Sequence, residues 1–203
     1  MRPLTLLFIL IFSTAYHCQS QQDSSFIETI NSIISKFQRG GIRYYADRLY
    51  PSMIKPVQMA VANGKIYSIY RNRVDTLVLT KEEKSFLSKE LRALETFRWG
   101  DQVIRNSKSV DRDSLDQFIG QIWKHTYDSI RQVSGQKELD KYVIQNGLYW
   151  GFSFSKPIFI RNGNICLFFI MNYFNSAGSH EWAFYRKENA VWKKWLVVSG
   201  GEW

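Results

Sequence analysis

Ile165-Cys166-Leu167-Phe168-Phe169-Ile170-Met171 is apolar at every position. A strand with one wet face alternates apolar and polar residues, so an unbroken run of strand length belongs where both faces are covered. Pro157-Ile158-Phe159-Ile160 precedes it across Asn162-Gly163, the dipeptide that best fits a tight hairpin turn. Glu181 to Arg186 and Val191 to Val198 follow at strand length and carry Trp182, Phe184, Trp192, Trp195 and Leu196. These four segments predict an antiparallel meander with residues 165–171 in its centre and helices on one face.

Upstream, the spacing changes from two to three and four. Phe26, Ile27, Ile30, Ile33, Ile34 and Phe37 form one helical stripe that ends near Gly40-Gly41. Pro51 and Pro56 are expected to break residues 42–64 into short irregular pieces. After the turn signal Asn63-Gly64, Ile66 to Tyr70 and Val74 to Leu79 read as a hairpin connected around Arg71 to Arg73. Thr80-Lys81-Glu82-Glu83 is a capping box and starts a helix that runs to about Phe97. A polar link from Arg105 to Arg112 leads to a third helix, capped at Asp113 and ending at Gly135, whose stripe includes Leu115, Phe118, Ile119, Trp123 and Tyr127. The fold class is therefore α+β, with N-terminal and central helices packed on a C-terminal antiparallel sheet of about four strands.

Phe154-Ser155-Lys156-Pro157-Ile158-Phe159, Asn164-Ile165-Cys166-Leu167-Phe168 and Tyr185-Arg186-Lys187-Glu188-Asn189 with Trp192 resemble a group of small exported bacterial proteins of unassigned function. The resemblance covers roughly Asp111 to the C terminus. It implies a meander after a helix that starts at a motif like Asp113-Ser114-Leu115, and it implies no activity. Members often carry a Cys-Gly-rich loop between the second and third strands, where this chain has Phe174-Asn175-Ser176-Ala177-Gly178-Ser179.

At the other end, Arg2, the apolar stretch Leu4 to Phe12 and the small residues Ser13, Thr14 and Ala15 have the layout of a signal peptide, and the stretch is too short to span a membrane. Cleavage after Ser20 leaves Cys18 and Ser20 at the small-residue positions and starts the mature chain at Gln21. A lipoprotein anchored through Cys18 fits less well, because Tyr16 and His17 are bulky where a lipobox has small residues. Residues 1–20 thus read as a signal peptide and 21–203 as a single α+β domain, with 110–203 its helix-plus-meander half. The expected location is periplasmic or secreted. Without the leader only Cys166 remains, so no internal disulfide can form and the core must supply the stability. A hydrophobic content of 45% makes such a core available and argues against disorder.

The chain is basic, with 27 Lys and Arg against 18 Asp and Glu. The excess is concentrated between Lys36 and Arg73, where eight basic residues oppose only Asp47 and tyrosines are interleaved. Arg43, Tyr44, Tyr45, Arg48, Arg71 and Arg73 are the candidate binding residues, and for an exported protein the matching partner is an anionic envelope component or another protein rather than nucleic acid. His125, His180 and Cys166 lack the close pairings of a zinc site, and the Asp111, Asp113 and Asp116 cluster lacks the glycine and terminal glutamate of a calcium loop, so no metal is expected. Those aspartates are expected to cap the third helix. The paired glycines at 40–41 and 200–201 lack the context of a phosphate loop, so no cofactor is expected either.

Ser179-His180-Glu181 brings nucleophile, base and carboxylate types together, but neighbours on a strand face opposite ways. The reading that follows is a noncatalytic binding or interaction module of the cell envelope. The alternative is a hydrolase of an extracellular polymer, using Ser179, His180 and Glu181 beside an aromatic cleft formed by Tyr173 and Trp182. A third reading is a surface that serves only to assemble with a partner.

Overall fold

The computed structural model describes residues 24, 26–36, 41–69, 75–146, 150–174 and 177–202. The expected leader at 1–20, the connection at Arg71 to Arg73 and the end of the first helix at Phe37 lie outside the described residues.

The meander is present as β6 (Ile158–Ile160), β7 (Ile165–Phe174), β8 (Ala177–Glu188) and β9 (Val191–Glu202), each antiparallel to its neighbour. The turn between β6 and β7 follows from Asn162 and Gly163, at φ of 53° and 76°, with the Asn164 N–H donating to the Arg161 carbonyl at 3.1 Å. These are the positive φ values that a primed turn requires and that Asn-Gly adopts readily. Between β8 and β9 the turn rests on Asn189 and Ala190, both also at positive φ.

The sheet is wider than the meander. Three short strands extend it past β7: β5 (Gly151–Phe154), antiparallel to β7, then β1 (Arg43–Ala46) and β4 (Ser107–Val110), which are parallel to one another, with β1 parallel to β5. β5 and β6 lie along the same edge of β7. Ser155 bridges the gap between them, its N–H donating to the Phe169 carbonyl and its Oγ accepting the Phe169 N–H at 3.0 Å.

Residues 165–172 of β7 are buried on both faces. Leu167, Phe169 and Met171 join one core with Trp182, Phe184 and Leu196, under α2 (Pro51–Asn63), α3 (Lys81–Ala93) and the hairpin of β2 (Lys65–Tyr67) and β3 (Thr76–Val78). Cys166, Phe168 and Ile170 point the other way, into a second core with Phe26, Ile30 and Ile34 of α1 (residues 26–34). Phe26 meets Phe168, Trp192 and Tyr185 edge to face, with ring centroids 5.0, 5.3 and 5.6 Å away. Helices therefore lie on both faces, where the sequence reading placed them on one. The uninterrupted burial of β7 requires that second cover.

The prolines do not break residues 51–63, contrary to expectation. Pro51 occupies the first turn, where its missing N–H has no intrahelical partner to lose. Pro56 cannot bond the Ser52 carbonyl, a defect that costs about 3 kcal/mol in a helix interior. Ile54, Val57 and Val61 are all fully buried from the same helix, and each such side chain contributes about 1.5–3 kcal/mol, which outweighs the defect. Gly64, at φ 75°, closes α2 by donating to the Ala60 and Val61 carbonyls.

Downstream, α4 (Leu115–Trp123) continues through a wider π turn (Lys124–Asp128) into α5 (Ser129–Ser134), and α6 (Gln136–Asn146) follows Gly135. Asp113 does not cap α4. The residue before its first turn is Ser114, with no side-chain cap, and the aspartates take other partners. Among the described residues no helix is long and apolar enough to cross a membrane.

The capping box of α3 forms as read: Thr80 Oγ1 accepts the Glu83 N–H at 3.2 Å and Glu83 Oε2 accepts the Thr80 N–H at 2.9 Å. Glu83 also takes Arg161 Nε at 2.9 Å, which ties the helix to the β6–β7 turn. The Arg161 guanidinium, and secondarily the Thr80 N–H, hold the Glu83 carboxyl below its usual value of 4.5. A carboxylate whose pKa is lowered by folding stabilises above its unfolded value and loses that contribution as pH falls through the folded one. Glu83→Gln should therefore cost about 1 kcal/mol near pH 7, and the difference from wild type should shrink as pH drops below about 4 in parallel urea titrations. A cost that persisted unchanged at low pH would contradict the assignment.

Candidate functional site

At the end of the sheet a cleft of about 790 Å³ opens between the start of α2, the first turns of α4 and the strands β7, β8 and β9. Strand alternation aims Met171 and Tyr173 of β7 toward it, together with His180, opposite Met171, and Trp182 of β8. Tyr50, Trp123 and Ile119 complete its largely aromatic and aliphatic wall. Gly151 pairs with Tyr173 across β5 and β7, and the tyrosine ring lies over the glycine so closely that a Cβ there would sit 2.4 Å from Cζ. The missing side chain lets the ring turn into the cleft.

One buried cation stands in this wall. Arg112 is only 6% exposed, and its guanidinium carbon lies 4.3 Å from the centre of the Tyr50 ring and 5.6 Å from that of Tyr173. Nη1 is 3.5 Å from Asp116 Oδ1, and neither Nη1 nor Nε makes a hydrogen bond. The Tyr173 hydroxyl is likewise buried and lies near the same Asp116 carboxylate. Burial pushes that hydroxyl far above the ordinary tyrosine range, with Arg112 opposing and the nearby Asp116 adding to the shift, so it is a neutral phenol.

Carboxylates on the turn before α4 and at the end of β1 bring Arg112 to this position. Asp47 Oδ1 accepts the Arg112 backbone N–H at 3.0 Å, and Asp111 Oδ1 accepts that of Asp113 at 3.0 Å. Arg48 ties the same turn to the end of β1 by bonding Asp113 at 2.6 Å and Asp111 at 3.1 Å, while Arg98 bonds Asp47. The Asp111 carboxyl is held low, first by the Asp113 N–H and then by Arg48.

No family model, curated protein or solved structure matches the chain.

The residues singled out in the sequence are distributed differently. Tyr45 is fully buried; its hydroxyl bonds the Gly100 carbonyl and accepts the Val103 N–H at 3.3 Å. Tyr44 faces the other way and packs against Phe118. Arg43 donates to the Arg105 carbonyl at 3.0 Å, and burial, with Arg105 close by, lowers its pKa. Arg48 is taken up by aspartates, and Arg71 and Arg73 lie outside the described residues. Those that are described do not share one face.

Ser179, His180 and Glu181 are also divided. His180 lies on the cleft side, 6.4 Å from the Phe169 ring centre, while Ser179 Oγ donates to Asn172 Oδ1 at 2.7 Å and Glu181 takes Lys194 at 2.8 Å on the opposite face. There they border a second cleft of about 770 Å³ beneath α1, which His180 also lines. Tyr173 and Trp182, named as cleft residues in the sequence, both line the first. Among the described residues no three His, Cys, Asp or Glu side chains are grouped as for a metal ion. The sequence reading gave Arg112 and Tyr50 no place in a site; the available signal was an arginine between two aspartates just before a helix, with Asp116 four residues on.

Gly151→Ala tests the packing that forms the cleft. The added methyl must displace the Tyr173 ring, so unfolding free energy should fall by about 1–3 kcal/mol and the Tyr173 ring resonances should move. Wild-type stability together with unmoved resonances would show that the glycine is not needed there.

Proposed function

We propose that the protein is an exported, noncatalytic module that binds a small organic ligand in the cleft between α2, α4 and the β7–β8 end of the sheet. The observation that carries this reading is a concave, aromatic-walled space of about 790 Å³ beside a single buried cation. Ligand sites have volumes of about 300–1,000 Å³, are mostly apolar and have few polar groups, and this cleft fits that description. Binding is favoured over hydrolysis because the Ser179 hydroxyl is committed to Asn172 and the Glu181 carboxylate to Lys194. Export is supported by the order of Arg2, the apolar stretch Leu4 to Phe12 and the small residues after it. It makes the cell envelope and its surroundings the source of the ligand.

Two measurements test this. Gly120 lines the cleft within α4, and a Cβ there has nothing within 4 Å. Gly120→Leu should therefore weaken binding of the neutral dye N-phenyl-1-naphthylamine by about 10-fold or more. Because glycine is a poor helix former, the same change should raise stability by about 0.5–1 kcal/mol. Equal dye affinity in the two proteins would place binding elsewhere. For export, the chain recovered outside the cytoplasm should begin at Gln21; an uncleaved chain confined to the cytoplasm would contradict that part.

A further inference from the structure

We infer that the ligand of this cleft bears a single carboxylate, that Arg112 reads it, and that Asp116 is the resident anion it displaces. The inference rests on the cleft being a ligand site and adds the ligand's chemical class.

The two ions are unequally exposed. The Arg112 side chain is 6% exposed and the Asp116 side chain 72%. A guanidinium withdrawn from water needs hydrogen bonds to compensate for its lost hydration, and Nε and Nη1 have none. The flanking Tyr50 and Tyr173 rings supply cation–π attraction but no acceptor in line with those N–H groups. Asp116, 3.5 Å away, supplies charge without a hydrogen bond. An entering carboxylate improves on this arrangement with charge-assisted hydrogen bonds, and the displaced Asp116 side chain loses little because it already faces water.

The surrounding charge limits the ligand to a monoanion. Arg48, Arg98 and Arg112 stand against Asp47, Asp111, Asp113 and Asp116, three cations to four carboxylates. A phosphate dianion would meet that surplus of negative charge, whereas a carboxylate exchanges one for one with Asp116. The rest of the ligand must suit Trp182, Trp123, Met53 and Met171, which together favour an aromatic or otherwise apolar body.

The probes are 2-naphthylacetate, its neutral amide 2-naphthylacetamide and 2-naphthyl phosphate, titrated calorimetrically at pH 7. Wild-type protein should bind the acetate at least about 10-fold more tightly than the amide. Arg112→Gln should remove that preference while retaining affinity for the amide. Because a change at a buried arginine can compromise folding, the exposed Asp116→Asn is the second variant; it should bind the acetate several-fold more tightly and leave the amide unchanged. Equal acetate and amide binding, both blocked by Gly120→Leu, would overturn the carboxylate assignment and leave the cleft as the ligand site. Phosphate binding as tight as acetate would overturn the monoanion assignment. Failure of all three probes to bind would remove the ligand site and this inference with it.

Discussion

Strand β7 is buried on both sides, and the placement of every other layer follows from that constraint. Its odd-numbered residues require a cover of α2, α3 and the small hairpin, and its even-numbered residues require α1. Shifting the strand by one residue would exchange Phe168 with Phe169 and send every side chain to the opposite core, so the register is fixed by packing as well as by the Asn-Gly turn. The same register determines which side chains reach the end of the sheet. Met171 and Tyr173 face the cleft and Asn172 does not, and the pairing of β7 with β8 then places His180 and Trp182 on the cleft side and Ser179 and Glu181 on the other.

The parts of this arrangement that sequence made legible are those in which one physical effect dominates. Residues 165–171 lack polar positions, the Thr80 to Glu83 box closes on itself, and Asn162-Gly163 has few alternatives to a tight turn. The parallel strands β1 and β4 were not legible, because four residues such as Arg43 to Ala46 or Ser107 to Val110 are too short to display a period and are held by partners distant in sequence. Pro56 misled for a related reason: local backbone chemistry argues against a helix, and only the tertiary burial of Ile54, Val57 and Val61 reverses the balance. The site was legible only in its aromatic half. Tyr173 and Trp182 stand out in the sequence as large residues near a loop, but the burial of Arg112 depends on Asp47, 65 residues earlier, receiving its backbone N–H.

Asp47 thereby links fold and site. Its backbone extends the pairing of β1 with β4, the Asp47 N–H donating to the Val110 carbonyl at 2.9 Å, while its carboxylate fixes the turn that carries Arg112. Within the basic stretch, Arg43 bonds the Arg105 carbonyl and Arg48 bonds Asp111 and Asp113 at this junction. The positive charge that reaches the cleft comes from the turn before α4, where three nearby aspartates conceal it in the sequence.

Packed on both faces, β7 couples the two cores into one cooperative unit. Native-state hydrogen exchange of the Phe168→Ala and Phe169→Ala variants tests it most directly, because each change empties one core only. Each should lower the protection of slowly exchanging amides in both layers equally, by about 3–5 kcal/mol. If Phe168→Ala loosened only α1 and its neighbours while the amides of α2 and α3 kept wild-type protection, the layers would be independent and the account would fail.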